Sequence, residues 1–61
     1  MMHLHCILRI KRPDGDEERR VMFYERLPTP GSRVHLAGES IEITSAGFFR
    51  TRFVVVAKPL S

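Results

Sequence analysis

The sequence predicts an all-β fold, a small five-stranded antiparallel barrel. Three observations carry that expectation: a long apolar/polar alternation at the start, turn-forming residues recurring along the chain, and a length that leaves room for one core only. The 61 residues therefore read as a single domain spanning 1–61, with no repeat, low-complexity tract or long linker.

The first strand is expected from Met2 to Lys11. Met2, Leu4, Cys6, Leu8 and Ile10 face one way, and His3, His5, Arg9 and Lys11 share the other face with Ile7. Pro13, Asp14, Gly15 and Asp16 then supply a fixed φ, a side-chain acceptor and tolerance of left-handed backbone, as a tight turn requires. A second strand follows over Arg19 to Arg26, rich in Val21, Met22, Phe23 and Tyr24, whose inward face the pattern does not set. Helix is the rival reading for Asp16 to Leu27, because Asp-Glu-Glu before Arg-Arg resembles a helix start. The preceding turn and the β-branched and aromatic middle favour strand.

Leu27, Pro28, Thr29, Pro30 and Gly31 form a stiff extended connection, since each proline lacks a donor and biases the residue before it away from helix. Val34 and Leu36 alternate with Arg33 and His35 in a short third strand. Gly38 to Ser40 is read as a turn, and Ile41 and Ile43 alternate with Glu42 and Thr44 in a fourth strand. Ala46 and Gly47 are positioned to break or bulge that strand before Phe48 and Phe49, with a third turn near Arg50 to Arg52. Phe53 to Ala57 is the fifth strand, continuously apolar, and Pro59 ends regular pairing.

Five short strands bury a core most simply by curling into a barrel, which also removes exposed edges. The segment Pro30-Gly31-Ser32-Arg33-Val34-His35-Leu36-Ala37-Gly38 resembles the turn-strand-turn opening of KOW-type and other SH3-like barrels. In those barrels a glycine precedes a Val-x-Val-like strand and another follows it. The further glycines of KOW motifs are replaced here by Glu39, Ser40, Ile41 and Glu42. The resemblance implies an SH3-like barrel and hints at the RNA or ribosome association of KOW domains; fold alone does not fix function.

An apolar fraction of 43% and a charged fraction of 28% are those of a folding globular chain. Cys6 is the sole cysteine, so no internal disulfide forms, which fits a reducing, cytoplasmic setting. His3, His5 and Arg9 interrupt the apolar start, and no signal peptide is read there. The run Phe53 to Ala57 is too short to cross a membrane. The net charge of +3 is unevenly spread: all seven carboxylates precede Ile43, where seven of the ten basic residues balance them, and the surplus is Arg50, Arg52 and Lys58.

His3 and His5, two apart on one strand face, have metal-ligand spacing, but Cys6 points the other way and a third ligand would have to come from His35 or a second chain. No physiological metal and no cofactor is expected. Nucleophilic catalysis needs a Cys or Ser beside a His oriented by a carboxylate, and neither Cys6 nor Ser32 nor Ser45 has that spacing. A phosphate-cradling loop is missing as well, so the protein is not expected to be an enzyme.

Two binding readings remain. Phe53, Val54, Val55 and Val56 form a strand apolar on both faces with no helix to cover the second, which points to association with another protein chain or a second copy of this one. Alternatively, Phe48, Phe49, Arg50 and Arg52 combine rings that stack on bases with guanidinium groups that neutralise phosphates, extended by Lys11, Arg12, Arg19 and Arg20 around the first turn. Asp14, Asp16, Glu17 and Glu18 are interleaved with that second basic group and oppose RNA or DNA there.

Overall fold

A computed structural model of the chain describes residues 3–60. Its strands are β1 (Leu4–Lys11), β2 (Glu17–Tyr24), β3 (Arg33–Leu36), β4 (Glu39–Phe49) and β5 (Arg52–Pro59). They form one sheet in the order β2-β1-β5-β4-β3, curled into a half-barrel. The helix alternative for Asp16 to Leu27 is excluded, because β2 pairs with β1 along its whole length, from Lys11 opposite Glu17 to Leu4 opposite Tyr24. Among the described residues no helix is long and apolar enough to cross a membrane.

The turns follow local chemistry. Between β1 and β2 the Gly15 N–H donates to the Arg12 carbonyl at 3.0 Å, and the Asp16 N–H donates to Asp14 Oδ1 at 2.9 Å. Gly15 adopts the positive φ of 97° that this turn needs. The β3–β4 turn is Ala37-Gly38, with φ of 52° and 77°, the two-residue primed geometry whose twist matches paired strands. That turn ends at Gly38, and β4 begins at Glu39, earlier than expected. Arg50 and Thr51 link Phe49 to its partner Arg52 and so make the third turn.

Two features correct the sequence expectation. The sheet is mixed and not purely antiparallel, since β1 and β5 run parallel, with Leu8 opposite Val55. Alternation and turn residues specify the local hairpins, but the direction in which β5 meets β1 depends on the reversal between β2 and β3. The connection from Leu27 to Ser32 makes that reversal while carrying the chain from one sheet edge to the other. It is anchored on β4, where the Gly31 N–H donates to the Ile43 carbonyl at 2.7 Å and the Ile43 N–H to the Ser32 carbonyl at 2.8 Å. Secondly, β2 and β3 are left as edges, with no ladder between them among the described residues, so the expected barrel remains open along that seam. β4 also runs on through Ala46 and Gly47, its bulge lying earlier, between Ile43 and Ser45.

Cys6, Leu8, Ile10, Ile41, Ile43, Val55 and Ala57 are buried on the concave side and form the core. Met22 and Tyr24 pack against it, which settles the inward face of β2, and Leu27 and Val34 pack against it as well. The fully buried side chains come from β1, β4 and β5, the three inner strands of the order. Edge strands supply only partial cover.

Candidate docking surface on the convex face

The parallel pairing of β1 and β5 decides what lies outside. It sets Ile7 beside Val54 and Arg9 beside Val56, and strand alternation points all four away from the core. Antiparallel pairing with β2 then brings Val21 opposite Ile7 and Phe23 opposite His5. On the other flank β4 contributes Ser45 opposite Val56, Gly47 opposite Val54 and Phe49 opposite Arg52. The result is an aliphatic strip of Ile7, Val21, Val54 and Val56 across the outer face, with Phe23 and Phe49 on its two flanks. Phe23 is 64% exposed and Phe49 62%.

Gly47 keeps part of the strip open. A Cβ built there would meet nothing within 4 Å, and a hollow of about 330 Å3 lies over Val54 and Val56 between Arg9 and Phe49. A second hollow, of about 420 Å3, has Ile7, Val21 and Val54 as its apolar lining, with Arg9, Arg19, Arg20 and Arg52 also lining it. Arg9 Nε and Nη2 donate to Glu17 at 3.0 and 2.9 Å, Arg19 Nε donates to the same carboxylate at 2.9 Å, and Arg20 bonds Glu18. Hydrogen bonds from Arg9 and Arg19 hold the Glu17 carboxyl down at about 2, well below the usual carboxylate range. Among the described residues Arg52 has no carboxylate partner.

The residues singled out in the sequence divide between the two faces. Val54 and Val56 lie on the convex strip, whereas Val55 is fully buried and Phe53 packs against the core, edge-to-face with Phe48 at 5.0 Å between ring centroids. Phe48 thus sits on the concave side of β4, at the rim, and is exposed. Phe49, Arg50 and Arg52 come together, with the Arg50 guanidinium 5.4 Å from the Phe49 ring centroid and all three lining one hollow with Val54. Val21 and Phe23 carry no sequence signal that assigns them to the surface, because the pattern does not set the inward face of β2. Ile7 did carry a signal, as the one apolar residue on the polar face of its strand.

The histidines are engaged separately. His5 lies against Phe23 at 5.3 Å between ring centroids, the rings tilted by 43°, and His35 Nδ1 lies 3.3 Å from Ser40 Oγ. Among the described residues no three His, Cys, Asp or Glu side chains gather as a metal site would need. Cys6 is buried, and desolvation pushes its thiol pKa up, away from the thiolate form that reacts. Comparison with protein-family models, curated proteins and solved structures returns no match.

Proposed function

We propose that the protein is a non-catalytic interaction module, an open relative of the SH3-like barrels acting in the cytoplasm, that docks on another protein through the convex face of its sheet. The observation that carries this reading is the unbroken aliphatic strip from Val21 through Ile7 to Val54 and Val56, flanked by exposed Phe23 and Phe49. Apolar surface gathered on one face of so small a domain is costly to leave in water, and a contiguous patch of this kind marks protein association. Aromatic and arginine residues at its margin are those enriched in protein interfaces. The proposal modifies the sequence expectation in one respect: Val54 and Val56 touch the partner, while Phe53 and Val55 hold the strand from the core side.

The test compares what is retained by the tagged protein, by Val54→Lys on the strip and by Thr29→Lys on the connection, once both variants are shown to be folded by circular dichroism. A protein partner retained by the wild type and Thr29→Lys but lost by Val54→Lys is the expected result. Equal retention by all three would contradict docking through this strip. The grouping of Phe49, Arg50 and Arg52 favours a second reading, RNA or DNA binding at that end of the face. On that reading Arg50→Ala with Arg52→Ala abolishes binding, and retention falls steeply as salt rises.

A further inference from the structure

We propose that the docking partner is a different protein with acidic side chains around its apolar contact, and that the hollow between β1, β2 and β5 receives one of its carboxylates. This inference rests on the docking reading and adds the chemistry of the partner. Arg9, Arg19 and Arg52 reach this face from three strands and line one hollow with Ile7, Val21 and Val54, and no carboxylate lines it with them; Arg20, in alternation with Met22 and Tyr24, sends its side chain to the other face, where it bonds Glu18. Glu17 engages Arg9 and Arg19 from the side, orienting both while leaving positive charge in surplus. Arg52 is without a carboxylate partner among the described residues and is 62%-exposed Phe49's cross-strand neighbour, at the open margin of the strip. A carboxylate entering here accepts planar, paired hydrogen bonds from Arg52 in an apolar setting, where such bonds are strongest.

The same charges disfavour a second copy as partner. Two convex faces brought together would set arginine against arginine, and like charges facing one another at an interface oppose association. Nucleic acid fits less well. The exposed rings, Phe23 and Phe49, stand on opposite flanks with the aliphatic Ile7, Val21 and Val54 between them, and a run of phosphates crossing the hollow would meet the Glu17 carboxylate.

The experiment uses fluorescence anisotropy with three dye-labelled probes: a dodecapeptide alternating leucine and glutamate, one alternating leucine and lysine, and an oligothymidine strand of similar length. The glutamate peptide is expected to bind tightest, to lose about tenfold in affinity on Arg52→Gln, and to weaken as salt rises. Equal binding of the two peptides would overturn the acidic partner and leave the docking reading standing. Tighter binding of oligothymidine would overturn both in favour of nucleic acid. If neither peptide binds, the inference fails, and the docking reading is decided independently by the Val54→Lys comparison. Sedimentation of the protein alone is expected to show a monomer; a concentration-dependent dimer lost in Val54→Lys would identify a second copy as the partner and overturn the inference.

Discussion

Arg12 holds Glu39 across the open seam of the barrel through two hydrogen bonds, at 2.7 and 3.0 Å, although the two residues are 27 positions apart in sequence. The same guanidinium reaches Glu18 on β2 at 2.8 Å. Glu39 opens β4 opposite Leu36 of β3, so one side chain links β2 to the start of β4 beside the β3–β4 turn, while no backbone ladder joins β2 to β3 among the described residues. Removing it by Arg12→Met is expected to lower the melting temperature by a few degrees. Amide exchange at Leu36 and Glu18 should quicken several-fold while that of Val55 changes little. Uniform acceleration at all three sites would show that the clasp has no local role.

Acid should loosen the same region. Glu17, Glu18 and Glu39 all have pKa values lowered by hydrogen bonds from arginines, first from Arg9 for Glu17 and from Arg12 for the other two. A carboxylate whose folded pKa is depressed stabilises the fold fully above its unfolded value of 4.5, and that contribution is lost as pH falls through the folded value, about 2 for Glu17. Melting temperature is therefore expected to fall between pH 4.5 and 2 and to be nearly flat just above that window. High salt should reduce the dependence, because all these pairs are solvent-facing.

The two faces of β5 and β4 should differ sharply in cost. Ile43 is fully buried, and Ile43→Ala is expected to lose about 2–5 kcal/mol, enough to unfold a domain of this size at room temperature. Val54→Ala, on the outer face, should cost less than about 1 kcal/mol and leave the far-ultraviolet dichroism unchanged. Similar losses at both sites in urea titrations would contradict the assignment of faces.

Ala37 stands at a φ of 52°, in the left-handed region that suits glycine or asparagine better than a residue with an ordinary Cβ. With Gly38 it forms the β3–β4 turn, so Ala37→Gly or Ala37→Asn is expected to stabilise the protein by about 1 kcal/mol. Urea unfolding reads this directly, and a loss of stability for both variants would argue against the turn geometry.

The local parts of the fold were legible in the sequence and the long-range parts were not. The alternation from Leu4 to Ile10 identified both the strand and its buried face, and Asp14-Gly15 marked the first turn. Pairing β5 in parallel beside β1 has no local signature, because it depends on how the proline-rich connection reverses the chain. For the same reason the site was half visible. Continuous hydrophobicity from Phe53 to Val56 showed that a second face existed, while the register that sets Val54 beside Ile7, and Val21 beside Ile7, came only from the assembled sheet. The arginines of the hollow sit on three strands, and their convergence follows from that register as well.

The most direct test of the docking surface exploits Val54 and Val55, adjacent in sequence and on opposite faces. Methyl resonances of the labelled protein would be followed by NMR as the leucine-glutamate peptide is added. Large shifts at Val54, Val56 and Ile7, with Val55 and Ile43 unmoved, are the result expected of a partner seated on the convex face. Shifts of equal size at Val55, or confined to residues outside the strip, would contradict it.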